Sequence, residues 1–204
     1  MRSLLRLLPA LAAFVLIGAC SLRQDAPPVE HYVLRPPPPA EAAVRRTESL
    51  RVAPVRVAPS FAGEQLVYRM DEVRYASDFY HRLMAPSGAM IGTQATEWLD
   101  RAGPMRFTAA PGSGANQRYV LNLFVLELYG DFRPGRPPSA VLLIQATLSD
   151  TSRPTQAALM ERTFRQSVAL TQSTPAAVVE GYGRALGAVL LELQPLLAAA
   201  VPPS

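Results

Sequence analysis

Residues 118–129 read RYVLNLFVLELY, and residues 139–149 read SAVLLIQATLS. Both stretches carry apolar side chains at successive positions, which is typical of strands that are buried on both faces. The intervening residues 130–138 are rich in proline and glycine, as expected of a turn, and we expect Arg133 and Arg136 in this turn to be exposed. The pattern therefore predicts two neighbouring strands at the centre of a sheet.

Further strands are predicted on both sides of this pair. Residues 157–170 alternate between apolar and polar side chains and predict a third strand after the central two. Residues 50–57 are rich in β-branched side chains but contain Pro54, which favours an edge strand or a bulge. We expect the globular domain to begin at Leu50.

Three shorter stretches complete the predicted sheet. Residues 65–70 and 72–76 flank Asp71 and predict a hairpin. Residues 105–109 predict another strand, and residues 31–34 are a short extended segment suited to an edge strand.

Two helices are predicted from apolar residues at helical spacing. The first covers residues 86–102, ends before Gly103 and Pro104, and places Trp98 in the core. The second begins at Thr174, an N-cap residue that is followed by proline. Its apolar positions form one stripe: Val178, Tyr182, Ala185, Leu186, Val189, Leu190 and Leu193.

The small residues of the second helix leave two interpretations open. Gly181, Gly183, Ala185 and Gly187 suit packing against the sheet of the same domain, or close approach to another helix. The apolar stripe favours the first interpretation, in which the helix closes the domain. The sequence thus predicts one α+β domain over residues 50–200, with about seven strands and two helices on one face of a mainly antiparallel or mixed sheet.

The N-terminus has the layout of a signal peptide. Arg2 and Arg6 precede an apolar run over residues 7–19, and Arg23 follows shortly after it. This run is shorter than the ~20 residues that a membrane-spanning helix needs, so a permanent transmembrane anchor is disfavoured. We expect residues 1–19 to be removed.

Residues 16–20 read LIGAC, which resembles the lipobox of bacterial lipoproteins. The resemblance implies cleavage before Cys20, diacylglycerol on its sulfur and an N-acyl chain on its amino group. Several acyl chains together give stable membrane attachment. Ser21 follows the cysteine in place of the aspartate that usually retains such proteins at the inner membrane, which implies the periplasmic face of the outer membrane.

Residues 20–49 are expected to form the lipidated N-terminus and a proline-rich tether. The run at residues 36–39 is four prolines, which favour the extended polyproline II form and a semi-rigid spacer. In this interpretation the length of the tether matters and its sequence does not. The alternative is a ligand for a proline-binding module.

Charge and reactive groups exclude several function classes. Without Arg2 and Arg6 about 18 arginines balance 16 acidic residues, which is not the basic footprint of a nucleic-acid-binding protein. Cys20 is the single cysteine, so no intrachain disulfide is expected. His31 and His81 lack the spacing of a zinc site.

Candidate catalytic groups are equally sparse. Ser87 and Ser113 do not lie in a Gly-x-Ser-x-Gly turn, and Ser113 is interpreted as loop. Asp71, Glu72 and Asp78 are close enough in sequence to pair as a catalytic acid and base, but carboxylates on short hairpins are usually solvated. We expect no catalytic residues, no metal, and no cofactor other than the covalent lipid on Cys20.

These features in their order resemble the ABC-type transport auxiliary lipoproteins. The resemblance is carried by the lipobox cysteine, YVL at residues 32–34, the strand at 50–57, LVYRM at 66–70, and the two helices. It covers nearly the whole mature chain. Many members have a tryptophan after the second hairpin strand, where this chain reads FYHRL at residues 79–83.

The resemblance implies a non-catalytic outer-membrane component of an MCE-like lipid transport system. Its implied partners are an inner-membrane ABC permease and ATPase complex and a periplasmic MCE-type lipid-binding protein. Phospholipid is a candidate cargo. The resemblance is also compatible with a homo-oligomer. A structural or assembly lipoprotein that binds an outer-membrane barrel or envelope polymer is the alternative. An envelope hydrolase is disfavoured by the scarcity of reactive groups.

Overall fold

The computed structural model of the chain describes residues 27–40, 46–113, 117–153 and 158–201. These residues form nine strands in one mixed sheet and two α-helices. In chain order they are β1 (Glu30–Tyr32), β2 (Ser49–Val52), β3 (Arg56–Val57), β4 (Gln65–Arg69), β5 (Tyr75–Leu83), α1 (Ser87–Ala102), β6 (Phe107–Ala109), β7 (Tyr119–Asp131), β8 (Ser139–Asp150), β9 (Met160–Ala169) and α2 (Pro175–Ala200). The predicted α+β class is confirmed, with nine strands where about seven were expected.

The two long apolar stretches are the central strands, as predicted. β7 and β8 pair antiparallel over their whole length, from Tyr119 opposite Asp150 to Asp131 opposite Ser139. The other edge of β8 pairs with β9. Both strands therefore have neighbours on each side.

The second edge of β7 is shared by three short parallel strands. β2 pairs with its first residues, β3 with its middle and β4 with its last two residues. β2 also pairs with β6, so the prediction of an edge strand over residues 50–57 is wrong for this part. Pro54 has no N–H to donate, and the chain divides there into β2 and β3.

The predicted hairpin forms between β4 and β5, but its second strand begins later than expected. The carboxylate of Asp71 accepts hydrogen bonds from the backbone N–H groups of Val73 and Arg74. An aspartate that bonds its own backbone in this way favours a turn over a strand. Residues 72–74 therefore belong to the turn, and β5 runs from Tyr75 to Leu83.

The helices begin and end close to the predicted positions. α1 covers Ser87–Ala102 and ends before Gly103. At the start of α2 the side chain of Thr174 accepts a hydrogen bond of 3.3 Å from the N–H of Ala177. All seven residues of the predicted stripe are buried, as closure of the domain by this helix requires.

α2 has the length and the apolar composition of a membrane-spanning helix. Its apolar stripe nevertheless lies in the large core, which also contains the inward side chains of α1 and of the sheet. The two helices contact each other, so they cover the same face. A small cluster of Val67, Tyr129 and Val141 with Phe61 lies apart from this core.

The turn after β7 differs from expectation at Arg133, which is only 11% exposed. Its guanidinium forms an ion pair of 2.7 Å with Asp131, and a second ion pair of 2.8 Å with Glu72. A guanidinium fork fits a carboxylate well, so this arginine is held against the sheet end. Arg136 is exposed, as predicted.

Candidate interaction surface

The N-terminal segment is part of the folded domain. β1 pairs in parallel with β5, with Glu30 opposite His81 and Tyr32 opposite Leu83. β1 ends the sheet, as expected of an edge strand at residues 31–34. Two residues after β1, the side chain of Leu34 is fully buried in the core.

Residues 35–39, which we call the proline strap, lie between the two helices. The indole Nε1 of Trp98 on α1 donates a hydrogen bond of 3.2 Å to the carbonyl oxygen of Pro37. On α2, a Cβ at Gly187 would lie 2.8 Å from the Cδ of Pro37, and one at Gly183 would collide with the carbonyl oxygen of Arg35. The strap fits only because both positions lack a side chain.

The proline strap differs from the expected spacer over residues 20–49, since residues 30–39 contact the domain. It also changes the interpretation of the small residues on α2. Gly181 approaches Ala140 of β8, as packing on the sheet requires, whereas Gly183 and Gly187 face the strap. Grooves lined by aromatic side chains bind proline-rich segments. The presence of Trp98 and a proline run in one chain was therefore the sequence signal that could have predicted this contact.

β5, which pairs with β1, contains a bulge at Asp78. The register between β4 and β5 shifts from Gln65 opposite Arg82 to Val67 opposite Ser77. The Oδ1 atom of Asp78 accepts hydrogen bonds from the backbone N–H groups of Tyr80 and His81, at 3.0 and 3.1 Å. The carboxylate therefore fixes the bulged backbone.

The second oxygen of Asp78 connects the bulge to the sheet. It accepts a hydrogen bond of 2.9 Å from the hydroxyl of Tyr68 and lies 2.8 Å from Nδ1 of His81. Burial raises the pKa of Asp78, but the hydrogen bonds from His81, Tyr68 and the backbone outweigh it, so the pKa lies below its ordinary value. Burial and the bond to Asp78 raise the pKa of the Tyr68 hydroxyl. The charged carboxylate is the stable form.

The bulge projects two aromatic rings into solvent. Phe79 is 63% exposed, and its ring meets that of Tyr80 edge-on at a centroid distance of 5.3 Å. The Nε of Arg82 donates to the carbonyl oxygen of Phe79, and its guanidinium lies 4.8 Å from the centre of the Phe79 ring. This cation and the ring therefore form one exposed unit.

Further exposed apolar side chains lie beside this unit. In the described residues nine large apolar side chains are exposed, and six of them belong to β1, β5 or the residues next to them. Tyr75, at the start of β5, meets the ring of Tyr129 edge-on. The other five residues, which we call the β1–β5 patch, are Val29, Val33, Phe79, Tyr80 and Met84. Their concentration on one sheet edge makes this edge the candidate interaction surface.

The carboxylates considered as acid and base have other partners. Asp71 forms an ion pair with Arg74, and Glu72 forms ion pairs with Arg69 and Arg133. These contacts stabilise the hairpin turn. Among the described residues no group of three or more His, Cys, Asp or Glu side chains has the arrangement of a metal site.

The remaining candidates have structural positions. The hydroxyl of Ser87 donates a hydrogen bond of 2.7 Å to the carbonyl oxygen of Phe61 at the start of α1, and Ser113 lies in a loop. Cys20 and the predicted signal peptide lie outside the described residues.

Comparison with protein families identifies the class of this fold. The family model of the ABC-type transport auxiliary lipoprotein component matches residues 32–193. The chain therefore belongs to the ABC-type transport auxiliary lipoproteins, as the sequence resemblance indicated. Comparison with curated proteins gives no match.

Solved structures show the same fold at low sequence identity. A crystal structure of a protein from Xanthomonas campestris has a TM-score of 0.72 at 19% identity, covering 84% of this chain and 96% of that chain. A hypothetical protein from Chlamydia trachomatis has a TM-score of 0.52 at 10% identity, covering 75% of this chain and 99% of that chain. The family match begins at Tyr32, the last residue of β1, so the proline strap lies at the start of the matched region.

Proposed function

We propose that this chain is a non-catalytic lipoprotein of the outer membrane that serves an ABC-type, MCE-like lipid transport system. Cys20 carries the diacylglycerol and the N-acyl chain, and the domain faces the periplasm. The observation that carries this proposal is the family match over residues 32–193, together with the lipobox sequence at residues 16–20.

The lipoprotein acts by docking components of the transport system or by receiving hydrophobic cargo such as phospholipid. ATP hydrolysis belongs to the inner-membrane ATPase. The core face of α2 is occupied by the domain itself, so partner contacts belong on sheet edges and loops. The exposed β1–β5 patch is one such edge.

Recovery of partners from membranes tests this proposal. The acylated chain with a C-terminal tag is extracted in mild detergent, and the bound proteins and lipids are identified by mass spectrometry. We expect the ABC permease and ATPase and an MCE-type protein, enriched severalfold over a Cys20→Ser control that cannot be acylated. Recovery of barrel-assembly or envelope-polymer proteins in their place would favour the structural alternative and contradict the transport role.

A further inference from the structure

We infer that the β1–β5 patch is a membrane-contact surface that lies against the phospholipid headgroups of the leaflet in which Cys20 is anchored. The inference rests on the acylation of Cys20 in the proposed function, but it does not depend on the identity of the transport partners. Three features support it: the face that the patch residues share, the short length of chain between Cys20 and the patch, and the chemistry of the patch.

The patch residues of the paired strands share one face. Tyr32 and Leu83 are paired in register and point into the core. Because side chains alternate along a strand, the positions before and after them point outward on both strands. Val33 therefore lies beside Met84 on the outer face. Met84 is 59% exposed.

Tyr80 and Val29 extend this outer face toward the start of β1. Continuation of the register by one residue places Val29 beside Tyr80. Phe79 joins them through its edge-on contact with the Tyr80 ring. The five side chains thus share one outer face, on which the paired residues His31 and Arg82 lie between them.

The distance to the anchor follows from chain length. Nine residues separate Cys20 from Val29, and an extended chain spans at most about 3.6 Å per residue, so Val29 lies within about 32 Å of the lipid-bearing residue. A free polyproline tether as far as residue 49 would reach about 90 Å. Pairing of β1 with β5 removes this freedom, so the patch stays within the shorter of these two distances of the anchor.

The chemistry of the patch fits a bilayer surface. Aromatic side chains with an apolar body are favoured at the membrane interface, and methionine and valine suit its apolar side. Arginine places its charge at the headgroups while its stem stays among apolar groups, and its planar guanidinium binds phosphate oxygens. Arg82, held over the Phe79 ring, supplies such a group at the patch.

The acidic groups of this edge are engaged elsewhere. Asp78 is bound by Tyr68 and His81, and Glu30 accepts a hydrogen bond from the hydroxyl of Tyr32. Neither carboxylate is a member of the outward apolar surface. Its charge therefore comes from Arg82, which suits an anionic headgroup.

Site-directed spin labelling tests the inference on the acylated full chain. Met84→Cys is labelled with a nitroxide in vesicles of phosphatidylethanolamine and phosphatidylglycerol, where the Cys20 sulfur carries lipid and does not react. Phe107→Cys on β6 is the matched control, since Phe107 is an exposed apolar residue outside the patch. The readout is the ratio of collisions with lipid-soluble oxygen to collisions with a water-soluble nickel complex.

We expect this ratio to be severalfold higher at Met84 than at Phe107. Val33→Cys on the neighbouring strand should match Met84→Cys, which protects the test against misfolding of one variant. Equal ratios at the patch and control positions in acylated protein would overturn the membrane contact, and a patch label shielded from both reagents would indicate a protein interface. The intact mass of the same sample reports acylation, so failure of the anchor is distinguished from failure of the patch.

Discussion

The indole Nε1 of Trp98 on α1 donates a hydrogen bond to the carbonyl oxygen of Pro37, 61 residues earlier in the chain. Since Gly183 and Gly187 of α2 contact the same segment, the proline strap joins both helices. An N-terminal segment with the composition of a spacer is therefore part of the domain.

Gly183→Ala is expected to displace the proline strap. The new Cβ collides with the backbone carbonyl of Arg35, which cannot rotate away as a flexible side chain would. Trp98, the single tryptophan of the chain, then loses the strap as its cover, and its fluorescence emission should shift to longer wavelength.

The control for this variant is Gly92→Ala in α1. Its Cβ would lie 3.2 Å from a methyl group of Val55 and does not meet the strap. Replacing a helical glycine by alanine gains up to about 1 kcal/mol in helix propensity. We expect unchanged Trp98 emission here, and an unchanged emission in Gly183→Ala as well would contradict the role of the strap.

Leu190→Ala should lower the free energy of unfolding by about 2–5 kcal/mol, because a fully buried side chain is removed from the core. Leu191→Ala is the matched control one residue along α2, where the side chain is 59% exposed and the expected change is within about 0.5 kcal/mol. Urea denaturation of both variants measures the difference. Loss of partner binding by Leu190→Ala at unchanged stability would show that this helix face is an interface.

Asp131→Asn should destabilise the domain at neutral pH and have a smaller effect in acid. The side-chain hydrogen bond from Arg133 lowers the pKa of Asp131, so its contribution is present above the ordinary aspartate pKa of about 3.9 and is lost as the pH falls through its lowered folded-state value. Loss of this charged partner is expected to cost about 1–3 kcal/mol.

The measurement compares urea midpoints of the wild type and Asp131→Asn at pH 7 and at successively lower pH values. The gap between them should narrow below about pH 4. Glu180→Gln, an exposed position on α2, should follow the wild type within about 0.5 kcal/mol throughout. A constant gap for Asp131→Asn would disprove the link to its ionisation.

Acylation of Cys20 predicts a definite intact mass. Protein extracted from membranes should lack residues 1–19 and carry the added mass of diacylglycerol and an N-acyl chain. Cys20→Ser should retain the leader, because the sulfur nucleophile that accepts the lipid is absent. A wild-type chain of unmodified mass would exclude the proposed anchor.

The sequence-based expectation for the tether changes with the structure. If only reach mattered, scrambling residues 35–49 at constant length would preserve function. Because the proline strap contacts Trp98 and the glycines of α2, scrambling residues 35–49 should instead shift Trp98 emission and lower stability. Unchanged Trp98 emission and unchanged stability would favour the free spacer.

The strongest periodic patterns predicted the fold well. Residues 118–129 and 139–149 became the paired central strands, and the stripe beginning at Val178 became the buried face of α2. The pairing of strands that are far apart in the chain was harder to predict from the sequence. β2 pairs in parallel with β6, which lies more than 50 residues later, and no local pattern indicates this contact. Arg133 was expected in solvent because the sequence does not show that Asp131 and Glu72 meet it in space.

The candidate surface was missed for a related reason. Residues 79–83 read FYHRL, and this pattern does not by itself show that Phe79 and Tyr80 are exposed. Their exposure depends on the bulge that Asp78 creates through two backbone hydrogen bonds, and bulges leave little periodic signal in a sequence. Asp78 was a candidate acid or base, but its carboxylate fixes the backbone of the β5 bulge.

The position of β7 has a consequence for how the chain reaches its native state. β2, β3 and β4 all precede β7 in the chain and pair with it in parallel, whereas β8 and β9 follow it through short turns. During synthesis the N-terminal strands leave the ribosome before their partner exists, and contacts between distant residues form slowly. We therefore expect the β7–β9 meander to nucleate folding, and a nascent chain that ends before Asp131 to remain dependent on chaperones.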